Sequence, residues 1–333
     1  MVADRTRVPI ERNMAMELVR VTEAAALAAA RYTGMGDKEL VDQAAVDAMR
    51  FTLGGVVMDG IVVIGEGEKD QAPMLYIGEQ IGNGSEPQVD IAVDPIDGTT
   101  LLSKGLPGAI AAVALSSRGT MHVPPHLAYM SKIAVGRAAR DSIDVNAPVA
   151  DNLRAIAKAL HRAVADLTVV VLDRPRHEQL LKEIRTAGAR VKLISDGDVA
   201  GGIQAAMPES GVDALMGIGG TPEGVLTAAA IRCIGGAIQC KAWPRNDDER
   251  QVAMAAGFDL DKVYSTDDLV GGEDVFFAAT GASTGELLKG VRFFGGGGET
   301  QSLVMRSRSG TVRWIDSLHD FSRLDKVRYF EEE

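Results

Sequence analysis

Apolar residues recur at two different spacings in the first 135 residues, and the change of spacing predicts where helices and strands lie. Spacings of three and four predict a helix over 14–31 and a second helix starting near Asp37. Pro73, followed by apolar residues at 74, 75, 77 and 81, predicts a short third helix. The predicted strands are short apolar runs, and they lie at 61–64, 89–93, 109–115 and around 132–135.

The rest of the chain alternates more regularly between the two patterns. Helices are predicted at 150–165, 177–186, from 199 and at 223–234, and strands at 167–172, 191–194, 214–218 and 275–279. Such alternation is typical of α/β proteins with helical crossovers between strands. Two later strands, around 302–306 and 311–315, flank Ser309-Gly310, which suits a tight hairpin turn.

A domain boundary is expected near 140–150, where the segment 144–150 separates the two patterned regions. It divides the chain into an N-terminal α+β part, 1–145, and a C-terminal α/β part, 146–333. In α/β sheets, ligands bind beyond the carboxyl ends of the strands. Three polar or glycine-rich loops follow predicted strands of the C-terminal part, and they are Arg174-Pro-Arg176, Asp196-Gly-Asp198 and Gly219–Glu223. We expect these loops to form part of a binding site.

An acidic turn after the strand at 89–93 suggests a site for a hard cation. Asp94 ends the strand and Pro95 stiffens the turn to Asp97, so the two carboxylates can converge on one ion. The carbonyl of Ile96 would supply a third oxygen ligand. The backbone N–H groups of residues 98–100 could then bind a phosphate oxygen. The alternative is an ordinary Asp-Pro turn with a capping aspartate.

A second acidic turn follows the strand at 61–64. Glu66 and Glu68 are two residues apart, so their carboxylates point the same way on an extended segment. Glycines on both sides of Glu66 allow a ligand to approach the backbone closely.

Composition limits the classes of partner. Lys and Arg number 35 and Asp and Glu 46, which gives a net charge of −11. An acidic chain without a basic run is a poor candidate for binding nucleic acid or an anionic membrane surface. Two cysteines do not make a disulfide framework, and the sequence lacks an apolar run of membrane-spanning length. We therefore expect a cytoplasmic protein with reduced thiols.

The two acidic turns resemble the motifs of the lithium-sensitive, metal-dependent sugar phosphatase superfamily, which are an acidic pair after a strand and Asp-Pro-Ile-Asp-Gly-Thr. Gly-Glu-Gly-Glu-Lys-Asp-x-Ala-Pro-Met-Leu-Tyr at 65–76 and Asp-Gly-Asp-Val-Ala at 196–200 are similar to class II fructose-1,6-bisphosphatases. The resemblance extends from about residue 16 to 324. It implies a layered αβαβα sandwich with the site between two α/β parts, and cleavage of the 1-phosphate of fructose 1,6-bisphosphate with Mg²⁺ or Mn²⁺.

The resemblance also implies roles for individual residues. The metal ligands would be Asp42, Glu66, Asp94, Asp97 and Glu223, with Glu68 and the Ile96 carbonyl as alternatives. Thr99 would orient the attacking water, its hydroxyl bonded to a carboxylate that accepts the proton, and Asp42 and Glu66 would assist catalysis. The substrate would be bound by Lys38, Asp97, Gly98, Thr99, Tyr129, Arg174, Arg176, Asp196, Asp198 and Gly220.

Several of these residues have ordinary structural interpretations. Asp42 and Glu223 could be first-turn acids that complement a helix dipole, and Arg174 and Arg176 could form surface salt bridges. The chain departs from the family pattern at Gln43, where a glycine is expected, and at Asp97, which is a glutamate in some members.

Other readings of the sequence remain open. His122 and His126 are four residues apart, but the prolines between them disfavour a helical metal pair. Within enzymes, the alternatives are a sedoheptulose-1,7-bisphosphatase and an inositol monophosphatase-like enzyme; outside enzymes, the alternative is a non-catalytic sugar-phosphate sensor. The resemblance also implies a homo-oligomer, either a dimer or a tetramer.

Overall fold

The computed structural model describes residues 14–66, 74–123 and 127–323, in which helices cover the faces of two β-sheets. The helices are α1 (Met14–Ala30), α2 (Lys38–Gly54), α3 (Thr99–Ser103), α4 (Val149–Ala159), α5 (Glu178–Thr186), α6 (Asp198–Ala206), α7 (Thr221–Ile234), α8 (Asp247–Ala255) and α9 (Thr266–Leu269). The strands are β1 (Asp59–Ile64), β2 (Gln80–Ile81), β3 (Gln88–Asp97), β4 (Ile110–Ser117), β5 (Tyr129–Val135), β6 (Thr168–Leu172), β7 (Arg190–Ile194), β8 (Ala214–Gly220), β9 (Ala237–Ala242), β10 (Val263–Ser265), β11 (Phe276–Gly281), β12 (Arg292–Phe294), β13 (Gly297–Arg306) and β14 (Thr311–Asp320).

The strand order places chain segments that are far apart in sequence side by side. The first sheet has the order β12-β13-β11-β4-β3-β1-β2, and β14 pairs with β13. The second has the order β10-β9-β5-β8-β6-β7. In the second sheet, β6 is parallel to β7 and β8, whereas β5 runs antiparallel to its neighbours β8 and β9. The carboxyl ends of β6, β7, β8 and β9 therefore lie at one edge.

Three hydrophobic clusters define five layers. Helices α1 and α2 pack on the outer face of the first sheet, where Leu18 and Met49 share a cluster with Ile91. Helices α6 and α7 lie between the sheets, and α4 and α5 cover the outer face of the second sheet. The expected αβαβα order is thus confirmed. Helix α7 is apolar on nearly all sides because it is buried between two sheets.

The middle layer depends on small side chains. A β-carbon on Gly202 of α6 would lie 2.4 Å from the γ-methyl of Thr227 on α7. A glycine at this position therefore allows the two buried helices to approach closely, as dense packing of the interior requires.

The helix predicted from Pro73 is wrong over the described residues 74–81, which form a turn followed by β2; Pro73 itself lies outside the described residues. Leu75 has a φ of +53°, which a helix does not permit, and the N–H of Glu66 donates to its carbonyl at 3.0 Å. Backbone hydrogen bonds to β1 and to Glu66, just after β1, therefore hold residues 74–81 in place. The helix predicted over 150–165 ends earlier, at Ala159, where the chain turns through a positive φ at His161.

The late hairpin returns to the first sheet, where β13 pairs with β11 and β14. Conversely, β5 belongs to the second sheet although it precedes residue 145. Each sheet therefore contains strands from both sides of the boundary expected between 1–145 and 146–333. The division of the chain at that boundary stays a prediction. In the described ranges, every helix is too short or too polar to cross a membrane.

Candidate active site

A cavity of about 400 Å³ collects acidic residues from the ends of many elements. Its lining includes Lys38, Asp42, Glu66, Asp94, Ile96, Asp97, Gly98, Thr99, Asp196 and Glu223. They come from the starts of α2, α3 and α7, from the ends of β1 and β3, and from the loop after β7. Ten of the residues proposed for the site are therefore neighbours here. Glu68 and His126 lie outside the described residues.

The end of β3 is irregular in a way that presents both aspartates to the cavity. Asp94 is opposite Ala112 of β4 and Asp97 is opposite Ile110, and the regular register is interrupted between them. Pro95 lacks an N–H and cannot donate to the ladder, which explains a break at this point. The strand was predicted to end at Asp94, but it resumes and continues to Asp97.

Gly98 ends β3 with a φ of +93°, and α3 begins at the next residue. A β-carbon here would lie 3.0 Å from a methyl carbon of Leu101, so both conformation and space favour glycine. This sharp reversal places Thr99 in the cavity beside the aspartates.

Burial and mutual repulsion raise the pKa of the carboxyl groups in the cavity. Desolvation, and then repulsion from Asp42 and Glu223, raises the pKa of Glu66 to about 7. Desolvation, followed by the neighbouring carboxylates, also raises the pKa values of Asp94 and Asp97 well above the ordinary value. The pKa values of Asp42 and Glu223 are raised mainly by burial. A cation bound among these carboxylates would offset their mutual repulsion and favour their charged forms.

The donor set fits a hard divalent ion. Oxygen ligands without cysteine or histidine favour Mg²⁺ or Mn²⁺. One oxygen of Glu223, Oε2, is buried and lacks a hydrogen-bond partner among the described residues. That oxygen lies against Gly220, where a β-carbon would be only 1.9 Å away, so glycine is needed for the carboxylate to occupy this position.

The carboxylates do not form a complete cage in advance. Within the described ranges, no three acidic, histidine or cysteine side chains are arranged to hold a metal ion. A complete cage is not required for Mg²⁺, which keeps several waters and typically uses one or two carboxylates together with substrate phosphates.

The Thr99 hydroxyl has a different partner from the one expected. It donates to the carbonyl of Ile96 at 3.0 Å, not to a carboxylate. Because Thr99 starts α3, its side chain folds back over the preceding turn, as short hydroxyl side chains do at helix starts. The hydroxyl oxygen keeps its lone pairs and can accept a hydrogen bond from a water molecule.

Lys132 is a functional candidate that the sequence reading missed. Its side chain is buried in β5, and its Nζ lies 2.8 Å from Oδ2 of Asp198. Burial lowers the pKa of this ammonium, but Asp198, Glu223 and Cys240 outweigh that effect and the net pKa is raised. Lys132 is therefore a permanent positive charge beside the acidic cavity. The feature of the sequence that could have revealed this candidate is a lysine inside a short and mostly apolar strand.

Space for this ion pair comes from Gly219. A β-carbon at Gly219 would lie 1.9 Å from Oδ2 of Asp198 and 2.8 Å from the Lys132 Nζ. The glycine-rich end of β8 therefore makes room for the buried Lys132–Asp198 pair and also forms a loop.

The remaining residues proposed for substrate binding lie next to the cavity, at the carboxyl edge of the second sheet. Tyr129 is opposite Gly220 in the β5–β8 ladder. Arg174 bonds Asp196 at 3.1 Å and also donates to the carbonyl of Ser195. Arg176 donates to the carbonyl of Ile218 through Nε and Nη2. Their binding roles stay predictions.

His177 has a structural role, in agreement with the expectation that it starts a helix. Its Nδ1 lies 2.7 Å from the Leu172 carbonyl, and its Nε2 accepts from the Ile218 N–H at 2.7 Å. One ring nitrogen must donate and the other accept, so the ring is neutral. Burial lowers its pKa, which agrees with that tautomer.

The fold and the cavity define a layered α/β protein with a carboxylate-rich cavity whose donor atoms suit a hard cation. The chain belongs to the bacterial fructose-1,6-bisphosphatase family of the glpX-encoded type, whose family model matches residues 12–319.

Two curated relatives span almost the whole chain. A Synechococcus protein (strain JA-3-3Ab), named D-fructose 1,6-bisphosphatase class 2/sedoheptulose 1,7-bisphosphatase, is 44% identical over 335 residues, covering 93% of this chain and 96% of the relative. A protein of the same name from Thermosynechococcus vestitus is 44% identical over 340 residues, covering 94% of this chain and 98% of the relative.

Among solved structures, the suhB extragenic suppressor protein of Bartonella henselae is 14% identical to this chain. The match covers 58% of this chain and 73% of that protein, and its TM-score of 0.33 is too low to bear on the fold.

In the metal-free protein, we expect the free energy of unfolding to fall as the pH rises from about 4.5 to about 7. Glu66 has an ordinary pKa of 4.5 and a folded pKa of about 7, so the folded state binds more protons than the unfolded state in this window. Deprotonation then favours unfolding. Urea unfolding in EDTA across this range measures the slope.

Glu66→Gln should make that fall shallower, whereas Glu183→Gln on the exposed face of α5 should leave it unchanged. Saturating Mg²⁺ or Mn²⁺ should reduce the fall, because a cation replaces the proton. A metal-free protein whose stability stays level or rises across the window would contradict the proposed charge crowding.

Lys132→Met should lower the free energy of unfolding by about 3–5 kcal/mol, because it leaves Asp198 buried without its partner. Adding Asp198→Asn should recover part of the loss. Lys241→Met on the neighbouring strand, which breaks an ion pair with the exposed Asp261, is the matched control and should cost about 1 kcal/mol or less. An equal loss of unfolding free energy in the two lysine variants would argue against a special contribution of the buried Lys132–Asp198 pair to stability.

Proposed function

We propose that this chain is a Mg²⁺- or Mn²⁺-dependent phosphatase that hydrolyses the 1-phosphate of fructose 1,6-bisphosphate to fructose 6-phosphate and inorganic phosphate in gluconeogenesis. The observation that carries the proposal is the crowding of six acidic side chains in one cavity. Five of them have raised pKa values, and one buried oxygen of Glu223 lacks a partner among the described residues. Membership of the family and the names of the two relatives support the choice of substrate.

Asp42 and Glu66 would hold one metal ion, and Asp94, Asp97 and Glu223 another, with Glu68 and the Ile96 carbonyl as alternative ligands. When bound, such ions lower the pKa of coordinated water and neutralise the transferring phosphoryl group. Phosphate monoesters hydrolyse very slowly unaided, so charge neutralisation is a large part of what the site must provide.

The protein residues would position the water and accept its proton. Thr99 donates to Ile96, so its oxygen is free to accept a hydrogen bond from the attacking water and to fix its orientation. The proton of that water would pass to Glu66 or Asp42, through a carboxylate oxygen that the metal ions leave uncoordinated.

The substrate would extend from the cavity towards the edge of the second sheet. Lys38, Gly98 and Thr99 would contact the cleaved phosphate. Asp196 and Asp198 would accept hydrogen bonds from sugar hydroxyls, and the ion pair with Lys132 would fix the orientation of Asp198. Tyr129, Arg174, Arg176 and Gly220 would bind the distal end.

Sedoheptulose 1,7-bisphosphate is the second candidate substrate, because both relatives carry that activity in their names. It also bears a phosphate at each end, with one more carbon between them. A site open at its distal end would accept both lengths.

We further propose a cytoplasmic homo-oligomer, either a dimer or a tetramer, as the family resemblance implies. Cys233 and Cys240 are free and buried, which suits a compartment that keeps thiols reduced.

Thr99→Ala should lower kcat on fructose 1,6-bisphosphate about 10²- to 10⁴-fold while substrate binding changes little, because the hydroxyl acts on the water rather than on the sugar. Thr99→Ser keeps the hydroxyl and is the matched control, with turnover near that of the wild type. Phosphate release with Mn²⁺ or Mg²⁺, beside a direct binding measurement, makes the comparison.

Three results would change the proposal in different ways. Unaltered kcat in Thr99→Ala would overturn the role of the hydroxyl alone. Phosphate release from sedoheptulose 1,7-bisphosphate and not from fructose 1,6-bisphosphate would move the substrate assignment. Absence of release from both, at saturating metal, would overturn the proposed activity.

A further inference from the structure

A fourth loop reaches the edge of the second sheet where the three predicted substrate loops meet. It follows β9, which pairs with β5 in the ladder from Met130 opposite Ala242 to Val135 opposite Ala237. Strand β9 runs in the same direction as β8, so its loop, Trp243-Pro-Arg245, emerges beside Gly220 and Tyr129. The Trp243 N–H donates to the Tyr129 carbonyl at 3.1 Å, which ties the loop to the start of β5.

This loop brings a second guanidinium to the ring of Tyr129. The Arg176 Cζ lies 5.0 Å from the ring centroid, and the Arg245 Cζ lies 5.9 Å from the same centroid. Trp243 packs edge-on against the ring at 6.3 Å. Two cations that share one phenol ring make a local positive site on a chain of net charge −11.

The backbone N–H and the Nε of Arg245 are hydrogen-bonded, whereas, in the described part of the chain, the Nη groups at the end of its side chain are not. Glu249 accepts from the Arg245 backbone N–H at 2.6 Å and from its Nε at 3.2 Å, and it also accepts from the Ala128 N–H beside Tyr129. Both Nη groups of Arg245 lack a hydrogen-bond partner among the described residues, and the side chain is 56% exposed. Arg176 likewise uses Nε and Nη2 on the Ile218 carbonyl and leaves Nη1 available.

We propose that Arg245, together with Arg176 and Tyr129, binds the phosphate of the substrate that is not cleaved. The inference rests on the proposed function, because it needs a substrate with two phosphates. Free guanidinium N–H groups match phosphate oxygens in geometry and charge, and arginine is well suited to bidentate phosphate recognition. The competing explanation is a surface ion pair between Arg245 and Glu249 that has little effect.

Such a contact lies far from the breaking bond, so it should affect binding of the ground state and of the transition state equally. Arg245→Met should therefore raise KM for fructose 1,6-bisphosphate about 10- to 100-fold and change kcat less than about threefold. For fructose 1-phosphate, which lacks the distal phosphate, kcat/KM should stay within about threefold of the wild-type value. Arg250→Met, an exposed arginine on α8 that loses the same charge, is the matched control.

A binding measurement that does not depend on turnover completes the test. Calorimetry should show fructose 6-phosphate, which carries only the distal phosphate, binding about 10-fold more weakly to Arg245→Met than to the wild type or Arg250→Met. Affinity for inorganic phosphate at the acidic cavity should be unchanged.

Equal losses on fructose 1,6-bisphosphate and fructose 1-phosphate, or a result no different from Arg250→Met, would overturn the role of Arg245. A wild-type protein that fails to hydrolyse fructose 1,6-bisphosphate would instead contradict the proposed function. In that case the binding of fructose 6-phosphate would still decide whether Arg245 recognises a sugar phosphate.

Discussion

Repulsion among buried carboxylates is the interaction on which the rest of the site depends. Asp94 and Asp97 lie in one cavity with Asp42, Glu66 and Glu223. Burial raises the pKa of all five, and repulsion from like charges adds to the shift at every one except Asp42. Such an arrangement costs stability in the absence of a cation, so the surrounding fold must stabilise it. We propose that the same crowding gives the cavity its affinity for a hard divalent ion, because a bound cation would offset the repulsion among the carboxylates.

The five-layer fold can hold these groups together because each comes from the end of a well-packed element. Helices α2 and α7 lie on opposite faces of the first sheet; α7 contributes Glu223 from its first turn, and α2 contributes Asp42 from its second turn. The break in β3 contributes two aspartates from a strand that is buried on both sides. The ammonium of Lys132, on the second sheet, balances part of the charge through Asp198. The acidic cavity thus lies where both sheets and three helices meet.

Features encoded within a few residues could be predicted from the sequence, and features made by distant pairs could not. The alternation of helices and strands follows from local apolar patterns, the layered order was implied by the family resemblance, and the turns at Asp94 and Glu66 carry their own chemistry. The pair of Lys132 and Asp198 joins residues 66 positions apart, so a strand pattern alone did not reveal it. Strand β9 was missed because Gln239 and Lys241 interrupt its apolar run, and the loop that carries Arg245 was missed with it.

The most direct test of the central claim is anomalous diffraction at the manganese edge from a crystal grown with Mn²⁺ and fructose 6-phosphate. The carboxylate cluster predicts a manganese peak in the cavity, with oxygens of Asp94, Asp97 or Glu223 at about 2.2 Å. A manganese ion bound only by residues outside the cavity, with these carboxylates hydrogen-bonded to water instead, would contradict the claim that their crowding creates the metal site.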